Sequence, residues 1–162
     1  MKTNKKKVLA AVFASLTALT VSATSFALLN ENAAREIAAK WVPEGTIHLQ
    51  TKDDNTEYEV KFFNEATNVH YRIDVNKLTE AVTEVTTRLQ NNHGSRIVSL
   101  SEAEAKDIVL NEYPGAIIQN IKLEIDDSYR KYEVKFNINK TWGEVDINPE
   151  TGVIIKRELK YY

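Results

Sequence analysis

The residues that could carry chemistry in this chain are few and far apart. Its three histidines are His48, His70 and His93, and no two of them have the H-x-x-x-H spacing that places two imidazoles on one helix face to hold a metal ion. The chain has no cysteine, which excludes a thiol nucleophile and a cysteine-based zinc site. It also lacks the G-x-S-x-G sequence that surrounds a nucleophilic serine. We therefore predict no catalytic residue, no metal ion and no cofactor.

One acidic stretch does resemble the start of a calcium-binding loop. Asp146, Asn148 and Glu150 alternate as the first ligands of an EF-hand do. The glycine at the sixth loop position and the distant glutamate that complete an EF-hand are both missing from this stretch. We therefore do not predict a calcium site here.

The first 27 residues have the three parts of a secretory signal. Four lysines among the first seven residues are followed by an uncharged apolar stretch at 8–21, and Ser25 and Ala27 are the small residues that a signal peptidase reads. We predict cleavage after Ala27, which leaves a chain that begins at Leu28 and acts outside the cytoplasm. The alternative is an uncleaved anchor, because the apolar stretch continues through Leu29 and reaches the roughly 20 residues that span a bilayer.

Without this segment the chain is acidic. Residues 28–162 carry 17 Lys and Arg against 23 Asp and Glu, a net charge of −6, because the segment holds four Lys and no acidic residue. A nucleic acid or an anionic lipid surface attracts a basic face instead. We therefore expect no nucleic-acid partner, and no membrane contact once the signal is removed.

Three sequence matches recur in the same order in the two parts of the chain. The matching segments are YEVKF at 58–62 and 132–136, ENAAREIAAKWVP at 31–43 against EAEAKDIVLNEYP at 102–114, and IDVN at 73–76 against VDIN at 145–148. Their offsets are 74, 71 and 72 residues. An ordered set with such similar offsets predicts an internal duplication. Its two units are 28–89 and 99–162, joined by a polar linker at 90–98.

Each unit has the pattern of a helix followed by strands. Ala34, Ile37 and Trp41 follow the 3.6-residue period of an amphipathic helix, and Ser101-x-x-Glu104 predicts a capping box at the start of the second helix. In the YEVKF segments apolar and charged residues alternate, which is typical of antiparallel strands with one buried face. We predict an α+β fold of two tandem repeats, each one helix packed on a three- or four-stranded antiparallel meander.

The alternation also predicts which strand residues face the helix. Val60 and Val134 should be buried at equivalent places, and Ile125 and Val153 belong to the same inward series. A unit of about 60 residues buries only about 60% of its unfolded surface and is marginal alone. We therefore expect the two units to pack against each other or to share a sheet edge.

The second unit resembles the PepSY domain. In that family a Tyr/Trp-x-Val strand is followed by a strand that ends in an acidic residue, a TG turn and a final strand. The matching residues here are Tyr132, Glu133, Val134, Asp146, Thr151, Gly152 and Val153. The first unit reads IDVNKLTEAVTEV at the corresponding place, with neither Pro nor Gly, so we expect its last turn to be built differently. The resemblance extends over nearly all of residues 30–160.

The resemblance implies a regulatory role. PepSY-like units occur in the propeptides of thermolysin-type metalloproteases, where they restrain the enzyme, and in secreted or membrane-anchored bacterial proteins. The family has no agreed catalytic residues to transfer. The expected function is a secreted, non-catalytic binding module that modulates an extracellular peptidase or another protein of the cell envelope. The alternatives are an extracellular hydrolase whose catalytic groups meet only in space, and a passive spacer.

Trp142 is the first candidate contact residue, and His70 is the second. Alternation backward from Val145 through Gly143 places Trp142 on the solvent side of the sheet, and His70 lies at the matching position of the first unit. An exposed tryptophan rimmed by polar residues is a common anchor in interfaces. The alternative is that Trp142 covers Gly143 or packs between the units.

Overall fold

The computed structural model describes residues 28–162, and the predicted secretory signal lies outside these described residues. A helix followed by four strands occurs twice along the chain. The elements are α1 (Glu31–Ala39), β1 (Ile47–Asp54), β2 (Glu57–Asn64), β3 (Val69–Asn76), β4 (Val82–Leu89), α2 (Glu102–Glu112), β5 (Ile117–Asp126), β6 (Tyr129–Ile138), β7 (Thr141–Ile147) and β8 (Ile154–Tyr161). Neither helix in this part of the chain is long and apolar enough to cross a membrane.

All eight strands form one antiparallel sheet in the order β1-β2-β3-β4-β8-β7-β6-β5. With its two helices, this sheet makes the fold α+β, as the sequence predicts. The last strands of the two halves, β4 and β8, pair at the centre, so the halves share a sheet edge in the way we expected. The element order is compatible with a duplication, and the common origin of the halves stays a prediction.

Both helices cover the same face of the sheet, which we call the inner face. Val85 of β4 and Leu159 of β8 are direct cross-strand partners, and they belong to the apolar clusters beneath α1 and α2 respectively. Val60 and Val134 are fully buried in these two clusters, which confirms their predicted orientation. Burial of a valine side chain contributes on the order of 1.5–3 kcal/mol. The opposite side of the sheet is the outer face.

The sequence determines where both helices begin. Asn30 precedes α1, and its side-chain oxygen accepts a hydrogen bond from the Ala33 N–H at 3.0 Å. At α2, the Glu104 N–H donates to Ser101 Oγ at 3.3 Å, and the Ser101 N–H donates to Glu104 Oε2 at 2.8 Å. These bonds satisfy amides that the first helical turn leaves without a partner. The predicted capping box is therefore confirmed.

The last turns of the two halves are built in the same way. Asn76 and Asn148 each follow or end a strand, and each side-chain oxygen accepts bonds from the amides two and three residues further on. In both turns the asparagine carbonyl also accepts a bond from the amide four residues on, at 2.9 Å. The prediction that the first turn is built differently is therefore wrong. An asparagine side chain, rather than Pro or Gly, organises both turns.

Two strand residues that we predicted to face the helices are exposed instead. Ile125 lies near the end of edge strand β5 and is 69% exposed, and Val153 precedes β8 and is 44% exposed. The β7–β8 pairing is irregular close to Val153, because its register shifts between Asp146 and Ile147 of β7. The inward series resumes after this irregularity and includes Arg157, which is buried and whose guanidinium lies 3.1 Å from Glu112 Oε1.

Candidate functional site

The outer face of the sheet carries charged and polar side chains in register. One row crosses all eight strands and consists of Gln50, Lys61, Arg72, Thr86, Glu158, Glu144, Lys135 and Asn120. Ion pairs join neighbouring strands and neighbouring rows. Lys156 Nζ, for example, lies 3.0 Å from Glu144 Oε1 and 2.8 Å from Glu158 Oε2. Most of the outer face is thus a network of compensated charges.

A concavity of about 370 Å³ interrupts this network in the first half of the chain. It is lined by Leu49, Lys61, His70, Tyr71, Arg72, Thr86 and Arg88. These residues come from four adjacent strands, β1 to β4. Leu49 is the extra residue of a β-bulge in β1, between His48 and Gln50, and a bulge can re-aim a side chain at a sheet edge. The lining includes cationic side chains and no carboxylate.

The cations of this concavity differ in how they are compensated. Lys61 Nζ lies 3.0 Å from Glu59 Oε1, and Arg72 forms an ion pair with Glu84. Arg88 is exposed, and none of the ion pairs among residues 28–162 includes it. Its cross-strand neighbours are His70 and Lys156, neither of which is acidic. The uncompensated positive charge of the concavity is therefore that of Arg88.

Arg72 also lies beside a buried carboxyl group. Its Nε is 3.6 Å from Asp74 Oδ1, and neither of these two atoms has a hydrogen-bond partner within the described chain. Burial raises the pKa of Asp74 to about 6, against the opposing attraction of Arg72. The nearby Glu59 raises this pKa further. Asp74 thus lies next to the concavity without lining it.

His70 lies in the concavity. It is half-buried on β3, and its ring packs on Phe63 with 4.6 Å between ring centroids and an interplanar angle of 32°. Its direct neighbour on β4 is Arg88. The sequence-predicted candidate is therefore adjacent to the uncompensated cation, on the outer face as expected.

Trp142 also lies on the outer face, in β7, and is half-buried. Its cross-strand partners are Asn137 and Lys160, and Lys160 Nζ lies 5.2 Å from the centroid of its ring. It does not cover Gly143. An added Cβ at that glycine would lie 2.2 Å from Phe136 Cζ, so Phe136 covers it from the inner face.

The structure does not bring Trp142 and His70 together. They belong to β7 and β3, and strands β8 and β4 lie between these two strands in the sheet. The row of His70 continues through Arg88 to Lys156, whereas Trp142 is paired with Lys160 in a different row. The two candidate residues therefore mark separate places on one face.

Three carboxylates approach one another in the second half. Oxygen atoms of Glu133, Glu144 and Asp146 lie within 4.8 Å of each other. Ammonium groups already occupy this cluster: Lys131 Nζ is 2.7 Å from Asp146 Oδ2, and Lys135 Nζ is 2.8 Å from Glu133 Oε1. Burial raises the pKa of Asp146, and the hydrogen bond from Lys131 opposes this shift. The lysines make the cluster part of the ion-pair network.

The side chains of the calcium-like stretch serve separate structural roles. Asp146 binds Lys131, Asn148 accepts the amides of its turn, and Glu150 Oε2 accepts a hydrogen bond from Ser95 Oγ at 2.6 Å. The Ser95 N–H and carbonyl also bond to the backbone of Arg130. The predicted linker is thus held against the second half of the sheet.

The remaining histidines do not line the concavity. His48 Nε2 is 2.9 Å from Thr51 Oγ1 on edge strand β1. His93 lines a small polar cleft of about 70 Å³ together with Arg88, Lys131 and Asp146. Neither position places an imidazole beside both a nucleophile and an orienting carboxylate, as a hydrolytic triad requires.

Sequence reasoning missed Arg88 and Leu49. Strand alternation from the buried Val85 and Thr87 would have placed Arg88 on the outer face. Its freedom from ion pairs depends on strands that are far away in the sequence. The bulge that displaces Leu49 has no local signal comparable to a glycine or proline.

Residues 99–158 match the family model described as PepSY, Peptidase propeptide and YPEB domain. This match confirms the resemblance of the second unit to the PepSY domain. No curated protein matches the chain. The match does not include residues 28–98, for which membership in the family stays a prediction.

Three solved structures are similar to the chain at low identity. A candidate lipoprotein from Clostridium difficile 630 is 18% identical, with a TM-score of 0.37, over 80% of this chain and 91% of that protein. A cysteine-rich secretory protein from Staphylococcus aureus subsp. aureus Mu50 is 7% identical, with a TM-score of 0.41, over 71% and 40%. The YpeB C-terminal domain of Bacillus megaterium is 15% identical, with a TM-score of 0.32, over 83% and 66%. Similarities of this size transfer no function.

Proposed function

We propose that this protein is a non-catalytic binding module that acts outside the cell and modulates a peptidase or another protein of the cell envelope. The observation that carries the proposal is the match of residues 99–158 to the PepSY family model, whose description names peptidase propeptides. The secretory signal predicted at residues 1–27 supports the extracellular location.

The form of the surface supports binding rather than catalysis. A hydrolase of this size would be expected to enclose its substrate in a pocket with a few convergent polar groups. Here the larger concavity lies on an open sheet face, and its polar lining includes three cationic side chains, the His70 ring and the Thr86 hydroxyl. Such a surface suits a partner that lies across the strands.

We assign the partner contact to the outer face, with Trp142 and His70 as contact residues. Both are half-buried aromatic side chains next to a cation on the adjacent strand, Lys160 and Arg88 respectively. Aromatic residues that combine a large apolar area with few rotatable bonds are enriched among residues that dominate binding energy. Their separation on the face requires a partner that extends across several strands.

The test uses purified residues 28–162 in two assays. In the first, the protein alone is incubated with casein, an ester and a glycan, and we expect no turnover. In the second, it is added to the secreted peptidases of the source organism, and we expect a dose-dependent change in casein hydrolysis. Peptidase activity that stays unchanged would contradict the modulating role. Turnover by the protein alone, abolished by one polar substitution, would establish the alternative of an extracellular hydrolase.

A further inference from the structure

We propose that the concavity in the first half of the outer face binds a carboxylate of an extended peptide segment of the partner, and that Arg88 is the anchor. The inference rests on the proposed function, because it names the chemistry by which the partner is recognised. It concerns the chain from residue 28, which contains the whole described sheet.

The charge distribution selects an anion. Arg88 is exposed and free of ion pairs among the described residues, and the other residues that line the concavity include no carboxylate. A guanidinium group offers a planar fork of N–H donors that matches a carboxylate in a bidentate arrangement. The His70 ring lines the same concavity and provides a further polar contact, whereas the Thr86 hydroxyl already donates to Glu84 Oε1 at 3.1 Å. An incoming carboxylate would therefore meet donors without displacing an existing acid.

The remainder of the concavity selects a peptide over a polyanion. Leu49 is 53% exposed at its bulge, so an apolar wall stands beside the cations. A carboxylate flanked by an apolar side chain fits both features, and the volume of about 370 Å³ lies within the range of about 300–1,000 Å³ typical of ligand sites. A long phosphate polymer would be repelled by the net charge of −6 on residues 28–162.

The second half supplies a natural comparison. When each residue of the first half is matched to the residue 72 positions later, Arg88 corresponds to Lys160 and Glu84 corresponds to Lys156. The two cross-strand pairs Arg88–Lys156 and Glu84–Lys160 between β4 and β8 are therefore equivalent. The residues that correspond to His70, Arg72, Thr86 and Arg88 are Trp142, Glu144, Glu158 and Lys160.

Two carboxylates therefore stand in the second half where the first half has Arg72 and Thr86. The ammonium of Lys160 is already 3.0 Å from Glu158 Oε1 and 3.5 Å from Glu84 Oε2. An anion is disfavoured there, so the site belongs to the first half alone.

The experiment titrates ¹⁵N-labelled residues 28–162 with acetyl-Leu-Glu-Leu-amide and records backbone amide shifts by NMR. We expect saturable shifts at Leu49, Lys61, Thr86 and Arg88. The matched peptide acetyl-Leu-Gln-Leu-amide should bind at least tenfold more weakly. Inorganic phosphate is titrated in parallel, and binding as tight as that of the glutamate peptide would overturn the peptide assignment in favour of a general anion site.

Two variants locate the anchor. Arg88→Gln should raise the Kd for the glutamate peptide at least tenfold, whereas Lys160→Gln, its counterpart in the second half, should change it less than twofold. Because Arg88 is exposed and free of ion pairs in the described chain, the variant should keep its unfolding midpoint. Equal binding of both peptides, or a larger effect of Lys160→Gln, would overturn the proposal.

The outcome is separable from that of the proposed function. If the glutamate peptide binds through Arg88 while peptidase activity is unaffected, the carboxylate site stands and the modulating role fails. If peptidase activity changes but Arg88→Gln alters neither that change nor peptide binding, the modulating role stands and the carboxylate site is overturned.

Discussion

Glu80 and Gly152 adopt the same left-handed backbone conformation, with φ of 57° and 71°, at the same place in two turns that are 72 residues apart. Each lies four residues after the asparagine that organises its turn, and each donates its N–H to the carbonyl of that asparagine at 2.9 Å. A glycine adopts this conformation freely, whereas a residue with a Cβ is disfavoured. One turn therefore contains backbone strain that the other avoids.

Glu80→Gly should stabilise the protein by about 0.5–1 kcal/mol, because it relieves this strain at an exposed position. The measurement is the midpoint of urea denaturation with an unchanged m-value. Glu80→Ala serves as the control, since it removes the carboxylate while keeping the Cβ. A gain of the same size in Glu80→Ala would show that charge, rather than backbone conformation, limits stability here.

Gly152→Ala should have the opposite effect and destabilise the protein by about 1 kcal/mol or more. The backbone at this position would keep a φ that is disfavoured for a residue with a Cβ. The new Cβ would also lie 3.2 Å from Ile108 Cδ1 of α2. The same denaturation experiment measures the loss. Ile108→Val in the Gly152→Ala background should recover only the part that arises from this contact. Full recovery would mean that the turn tolerates a Cβ without strain.

The two core valines offer a test of the inner face. Val60→Ala and Val134→Ala should each destabilise the protein by about 1–3 kcal/mol, because both side chains are fully buried and truncation leaves a cavity. Thermal and denaturant unfolding measure the loss. Val153→Ala is the matched control, and because Val153 is exposed its effect should stay within about 0.5 kcal/mol.

Asp74 should make stability depend on pH. Its pKa is raised to about 6 in the folded protein from an ordinary value of 3.8, so the folded state holds the proton more tightly. The stability that this carboxyl contributes is therefore fully present below about pH 4 and is lost as pH rises through about 6. Asp74→Asn should raise stability by about 1 kcal/mol at pH 7.5 and change it little at pH 4.

Asp146→Asn is the control for this effect. Asp146 corresponds to Asp74 under the 72-residue offset, but Lys131 Nζ donates to it at 2.7 Å. Its removal leaves a largely buried ammonium group without that acceptor, so stability should fall at pH 7.5. Unfolding midpoints of both variants between pH 4 and pH 8 decide the matter. A loss of stability in Asp74→Asn at pH 7.5 would contradict the interpretation that burial disfavours the charged form of Asp74.

Local sequence patterns correctly predicted the features of the fold that depend only on residues close together in the sequence. The burial of Val60 and Val134 follows from strand alternation, and the capping box of Ser101 and Glu104 follows from a four-residue motif. Ile125 departs from the pattern because it lies near the free end of an edge strand. A periodic pattern identifies a face, but it does not show how far the covering helix extends.

The candidate site depended on contacts that local patterns do not encode. The pairing of β4 with β8 places Arg88 beside Lys156, across 68 residues of sequence. With His70 on its other side, Arg88 has no acidic residue as a direct cross-strand neighbour. The outer position of Trp142 followed from alternation, whereas its distance from His70 in the sheet followed only from the order of the strands.

Trp142→Ala separates a contact residue from a structural one. The ring is half-buried on the outer face and the Lys160 ammonium lies over it, so truncation should cost about 0.5–1 kcal/mol, the range of an exposed cation–π pair. If Trp142 contacts the partner, the variant should largely lose its effect on casein hydrolysis by secreted peptidases while keeping nearly the same unfolding midpoint. Tyr129→Ala is the matched control, since Tyr129 is an exposed aromatic residue that likewise lies beside a cation, with the Arg96 guanidinium 5.5 Å from its ring centroid. Equal losses of peptidase modulation in both variants, or a fall in stability above about 3 kcal/mol in Trp142→Ala, would remove Trp142 from the contact surface.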